Sequence, residues 1–215
     1  MSSQSRIDRP LLRGTTLAGG LVLFGVSVAL LVASRLGPDP WDVLHQGIAR
    51  HFGIRLGWVV LGASVVVLLL WIPLRQRPGV GTIADALVVG PVVNLVQPLL
   101  PVADGPLGRS GYLVLGVLVN ALATGLYVGA DLGPGPRDGL MTGLAGRGHS
   151  IRLVRTGIEV TVFLIGWLLG GTVGVGTAVY AVAIGPLVHL TLRRLRIPPR
   201  TRTTDTETEE SPCPR

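Results

Sequence analysis

The chain contains no lysine, a single cysteine, 5% aromatic residues and only 14% charged residues among its 215. Each scarcity excludes something. A lone Cys213 rules out an internal disulfide, a cysteine-based metal site and a CxxC redox pair. Soluble domains carry charge on about a quarter of their residues, so a charged fraction of 14% excludes an ordinary water-soluble domain. Net charge +7 and an isoelectric point near 11.1 would suggest nucleic acid in a soluble chain, yet no stretch interleaves aromatic with basic residues as a nucleic-acid groove requires. No Walker loop, Gly-x-Ser-x-Gly elbow or HExxH pair is present, so the sequence predicts neither an enzyme nor a cofactor. His45, His51 and His149 lack ligand spacing, which reads them as solvated loop residues and predicts no metal site.

What the chain does contain is apolar: 48% hydrophobic residues and a mean hydropathy of +0.56. Its 31 Gly and 16 Pro follow no three-residue period, and both residues are tolerated in membrane helices whose neighbours satisfy the freed backbone groups. A bilayer core of about 30 Å takes about 20 residues at about 1.5 Å each. Uncharged runs of that size lie between Arg13 and Arg35, Arg55 and Arg75, and Arg109 and Asp131. Residues 79–100 add a span interrupted only by Asp85. The 33 uncharged residues between Glu159 and Arg193 divide at a glycine-rich turn into two spans, Leu153–Leu169 and Thr177–Leu192, joined as a tight hairpin. Six spans are expected. The first is too long for a signal-peptide core and has a counterpart later in the chain. Trp41, Trp58, Trp71 and Trp167 fall near span ends and read as interfacial anchors.

All 19 basic residues are Arg. In a six-span arrangement 15 of them, among them Arg6, Arg13, Arg75, Arg137, Arg152 and Arg193, fall on one side, and Arg35, Arg50, Arg55 and Arg109 on the other. The positive-inside rule then puts both termini in the cytoplasm. The polar residues 197–215 read as a disordered cytoplasmic tail, and residues 1–12 as a short cytoplasmic segment.

Self-comparison reveals a duplication. An offset of 96 pairs Leu36-Gly37-Pro38 with Leu132-Gly133-Pro134, Pro40 with Pro136 and Asp42 with Asp138. Offsets of 97 and 95 pair Ile54-Arg55-Leu56 with Ile151-Arg152-Leu153, Gly79-Val80-Gly81-Thr82 with Gly174-Val175-Gly176-Thr177, and Gly90-Pro91 with Gly185-Pro186. Two repeats follow, 13–101 and 109–196. Three spans in each would invert one relative to the other, a pattern that points to alternating-access transporters, although a duplication that only builds a stable bundle leaves the same trace.

Asp42 and Asp138 each follow a proline that suits a first helical turn, and begin segments, 39–51 and 135–149, too short to cross. They read either as charge-complemented helix starts, interfacial or re-entrant, or as functional carboxylates. Gly90-Pro91 and Gly185-Pro186 predict kinks or breaks at mid-span. Asn94 and His189 follow them at matched positions, as cavity-lining groups or as helix-to-helix hydrogen bonds. Asp85 and Glu159 are the carboxylates expected within the hydrocarbon region and are candidates for ion coupling, with Arg155 one turn from Glu159 as a local partner. Gly79-Val80-Gly81-Thr82 resembles a phosphate loop only superficially, since it lacks Lys and opens a span.

Taken together, Gly37-Pro38-x-Pro40-Trp41-Asp42-Val43-Leu44, Gly79-Val80-Gly81-Thr82, Gly90-Pro91 and Gly133-Pro134-Gly135-Pro136-Arg137-Asp138-Gly139-Leu140 resemble the YczE/YitT-like bacterial integral membrane proteins, over about residues 13–195. The resemblance implies a polytopic protein of the bacterial cytoplasmic membrane and no particular reaction. The expectation is an all-α bundle of six spans in two inverted repeats, acting as a small-solute transporter, with a non-transporting scaffold or accessory protein as the alternative. Asp42 and Asp138 are expected on opposite faces. Membrane lipid and a small solute are the expected partners, with no nucleic acid and with homo-oligomers allowed.

Overall fold

The computed structural model describes residues 8–195. The expected tail at 197–215, with Cys213, lies outside the described residues. Regular structure among the described residues is entirely helical: α1 (Asp8–Ala33), α2 (Pro40–Phe52), α3 (Leu56–Leu74), α4 (Val80–Val96), α5 (Gly105–Gly129), α6 (Pro136–Ala145), α7 (Ile151–Leu168) and α8 (Val175–Leu195). The order long, short, long, long occurs twice.

Five segments are long and apolar enough to cross a bilayer: Leu11–Ala33, Leu56–Leu74, Val80–Leu99, Gly105–Gly129 and Val175–Leu195. The remaining expected span is α7, whose 18 residues include Arg152, Arg155 and Glu159 and which falls outside that set. Exposed Leu, Val and Ile stud the long helices, among them Leu69, Leu87, Leu115 and Val182. Such a surface is stable against lipid and not against water.

The core forms around α1 and α5, which make the most extensive helix pair. Contact is close because each helix offers a glycine to the other. Gly20 lies against the backbone of Tyr127, and Gly116 lies against Leu31. Gly116 is the 96-offset counterpart of Gly20, and Tyr127 that of Leu31, so the contact is reciprocal.

The two repeats exchange their short helices. α2 of the first repeat packs on α7 of the second, and α6 of the second packs on α3 of the first. Val43 and Leu44 fit against Gly166, while the indole of Trp71 covers Gly139 and donates its N–H to the Pro136 carbonyl at 3.1 Å. A side chain at 139 would occupy the volume of that ring. Gly139→Leu is therefore expected to cost about 1–3 kcal/mol or more through overpacking, whereas Gly62→Ala on α3, with open space around it, leaves the melting temperature in detergent nearly unchanged.

The repeated loop motifs interlock in the same crossed fashion. Leu132 accepts a hydrogen bond from Gly81 N at 2.9 Å, and Leu36 accepts one from Gly176 N at 2.8 Å. Each Leu-Gly-Pro loop thus satisfies an orphan N–H at the start of the other repeat's last helix.

Several expectations are corrected. The chain between Leu168 and Val175 is short, yet α7 and α8 do not pack along each other as a hairpin. α4 and α8 continue as helices through Pro91 and Pro186, so neither is broken there. Trp41 and Trp71 are buried, while Trp58 and Trp167 are exposed; the first two are consumed by packing between repeats. His45 is buried beside Asp42 and is no loop residue.

Candidate functional site

The starts of α2 and α6 meet at the centre of the bundle. Asp39 caps α2, its Oδ1 accepting from Asp42 N at 2.6 Å, and Pro40 occupies the first turn, where no N–H is needed. The capping carboxylate also pairs through Oδ2 with Arg137 Nη1 at 3.3 Å. Asp42 Oδ1 lies 3.5 Å from Arg137 Nη2 and 3.2 Å from His45 Nδ1. The guanidinium also lies over the Trp41 ring, 5.2 Å from its centroid, a cation–π geometry. Trp41 and Arg137 are counterparts at the 96-residue offset, so matched positions of the two repeats bind one another. Arg137 joins both helix starts, so Asp42 and Asp138 are brought close to one another.

Beside this cluster is a cavity of about 570 Å³, within the range of small-molecule sites. Its walls draw on matched positions: Phe24 and Asn120, Asp39 and Gly135, Asp85 and Tyr180, Val89 and Ile184. Phe24 and Tyr127 meet edge to face at 5.8 Å. Asn120 Nδ2 donates to Ser27 Oγ at 2.9 Å and its Oδ1 accepts from the Tyr180 hydroxyl at 3.1 Å, so both amide atoms are engaged at depth.

Carboxylates outnumber cations here. Arg137 is engaged by Asp39 and Asp42, and Arg155 by Glu159 at 2.9 Å. Asp138 receives the Tyr127 hydroxyl at 3.5 Å, and Asp85 has no hydrogen bond or ion pair among the described residues. Asp138 Oδ2 and Asp85 Oδ2 lie 3.6 and 3.8 Å from the same point, where a Gly135 side chain would begin. A Cβ at 135 would meet both of them, and the Tyr127 hydroxyl at 3.5 Å, at ordinary contact distance.

The structure separates the sequence candidates. Asp138, Asp85, Glu159, Gly185 and His189 line the cavity. Asp42 sits behind it as a partner of Arg137. Pro91, Pro186, Gly90 and Asn94 do not line it. Instead Asn94 Oδ1 accepts from Gly57 N at 2.9 Å and Gly90 is pressed against the Gly57 carbonyl, which ties α4 to α3. Gly185, the counterpart of Gly90, has open space around it, as has Gly157 on α7. Both α7 and α8 line the cavity without packing along each other, whereas the corresponding α3 and α4 are in contact. Thr82 and Thr177 differ similarly: Thr82 Oγ1 donates to Pro134 O at 2.7 Å, while Thr177 Oγ1 is buried with no partner.

Sequence reasoning missed Asp39, Arg137, Trp41, Tyr127 and Tyr180 as site residues. A signal was present for two of them, since Trp41 and Arg137 are one repeat offset apart inside the most distinctive motif.

This arrangement, apolar helices facing lipid around a buried polar centre, defines a polytopic helical membrane protein. The chain belongs to the family of unknown function DUF6198, whose model matches residues 11–193. It is similar to an uncharacterized protein of Haemophilus influenzae, 39% identical over 80% of this chain and 79% of that one. It is also similar to the uncharacterized membrane protein YczE of Bacillus subtilis, 30% identical over 84% and 86% of the two chains. A further relative, the uncharacterized protein YyaS of Bacillus subtilis, is 24% identical over 80% of this chain and 88% of its own. No solved structure matches.

Proposed function

We propose that the protein is a secondary transporter for a small solute in the bacterial cytoplasmic membrane, built of two inverted three-span repeats with both termini in the cytoplasm. The observation that carries this is the different state of matched elements: α3 and α4 are closed at Gly57, Gly90 and Asn94, while α7 and α8 stand apart around a central cavity. In an inverted pair, exchanging those two states moves access from one membrane face to the other. α7 serves as the sixth span. Its charges all fall in its first nine residues, which suits a helix start at the cytoplasmic surface, and Arg152, Arg155, Arg193 and Arg194 then give the mouth the basic character of that face.

The test is a pair of cysteines at Val154 and Gly185, the counterparts of Gly57 and Gly90, in a Cys213→Ser background. Alternating access predicts that oxidation in membranes crosslinks them in a shut state, blocks labelling of a single cysteine at Thr124 inside the cavity, and is reversed by reduction. A pair that never crosslinks, with Thr124→Cys labelled steadily from one side only, describes a static cavity and sinks the transporter reading.

A further inference from the structure

The geometry points to an organic cation as the ligand of the central cavity, an amine or quaternary ammonium compound held between the carboxylates of Asp85 and Asp138 and the aromatic wall of Phe24, Trp41, Tyr127 and Tyr180. The inference rests on the transporter reading for its biological meaning, while the binding itself stands without it.

Two observations converge. The first is charge. Both guanidinium groups of the cavity are already taken, Arg137 by two carboxylates and Arg155 by Glu159 at 2.9 Å, so an anion would have to displace an existing pair. Asp85 and Asp138 form no ion pair among the described residues, Arg137 and Arg155 acting on them only from beyond ion-pair distance, and both carboxylates reach the neighbourhood of Gly135 beside the Tyr127 hydroxyl. Asp85 is partly buried and Asp138 is exposed, so both carboxylates are open to a ligand in the cavity, and a bound cation would supply the counter-charge that acids at membrane depth call for.

The second is the wall. Phe24, Trp41, Tyr127 and Tyr180 line the same cavity, with Arg137 over the Trp41 ring, and ring faces attract ammonium groups while covering their alkyl substituents. A cavity of about 570 Å³ exceeds what a bare metal ion requires and fits an organic molecule. Among the described residues no group of three or more metal-ligating side chains is found.

The experiment measures binding of benzyltrimethylammonium, benzyl alcohol and benzenesulfonate to the purified full chain in lipid nanodiscs, by titration calorimetry and tryptophan fluorescence. The cation is expected to bind at least tenfold tighter than the neutral and anionic probes. Asp85→Asn and Asp138→Asn should each weaken it at least tenfold, and Glu159→Gln, whose carboxylate already has Arg155, less than threefold. Gel filtration and helical circular dichroism show whether each variant is folded, and Asp85→Glu provides a charge-retaining variant that should keep a measurable part of the affinity. Equal binding of the three probes, preference for the sulfonate, absence of binding, or indifference of the folded Asn variants would overturn the inference. Cation-selective binding without the crosslinked shut state leaves the site standing and removes the transporter reading. A reversible shut state without cation selectivity does the opposite.

Discussion

Arg137→Ala is expected to destabilise the protein by about 3–5 kcal/mol, the usual cost of removing one partner from a buried ion pair. Asp39 and Asp42 both depend on this guanidinium, at 3.3 and 3.5 Å, and their side chains are 11% and 2% exposed. Taking it away leaves two carboxylates at the bundle centre with His45 as the remaining partner of one. The variant should appear as aggregated material in detergent gel filtration, or as a folded species that melts far earlier. Restoring neutrality tests the cause. Arg137→Met combined with Asp39→Asn and Asp42→Asn should recover most of the loss, because an uncharged set of similar volume avoids desolvating any ion. If the triple variant is no better than Arg137→Ala, the loss arises from Arg137 covering Trp41 and not from stranded charge.

Gly37→Ala should be nearly as damaging, for a reason that lies in the crossed loops. Gly37 has φ of +101°, and a side chain there would collide with Thr177 and lie 2.6 Å from the backbone N of Gly174. The backbone conformation alone costs a non-glycine residue about 1–3 kcal/mol, and the collision adds about 1–3 kcal/mol of overpacking. Gly53→Ala separates the two contributions. Gly53 also has positive φ, +66°, as the C-cap of α2, with nothing within 4 Å, so its replacement meets only the conformational cost. The melting temperature of Gly37→Ala should fall at least twice as far as that of Gly53→Ala. Equal falls would mean that docking of the Leu-Gly-Pro loop on the other repeat contributes little.

The motifs that these experiments probe were visible as repeats before their partners were. Leu-Gly-Pro and Gly-Val-Gly-Thr recur at nearly one offset, yet nothing local says that each docks on the copy from the other repeat. Asp39 was passed over because its counterpart is Gly135, so the criterion that selected Asp42 and Asp138 discarded the residue that caps α2 and binds Arg137. Arg137 itself was counted as a topology signal. That reading treats every arginine as solvated, and this one is occupied by two carboxylates and an indole. Asn94 and His189 are equivalent in sequence but differ in place, one bonded to Gly57 and one lining the cavity. A repeat predicts equivalent positions, and an asymmetric conformation assigns them different neighbours.

By itself the sequence determined that this is a helical membrane protein, how long most of its apolar helices are, where the two short helices begin, and that the chain is a duplication. Those properties follow from terms that add along the chain, the transfer of consecutive side chains into hydrocarbon and the local chemistry of caps and prolines. Only the tertiary structure decided that the repeats exchange α2 and α6, that Arg137 joins both helix starts, and that α3 and α4 meet while α7 and α8 stand apart. Those outcomes depend on close approach between residues far apart in sequence, 37 positions for Asn94 on Gly57, 65 for the Trp71 N–H on Pro136 and 98 for Arg137 on Asp39, and a pattern read along one strand of sequence carries no term for which surfaces will touch.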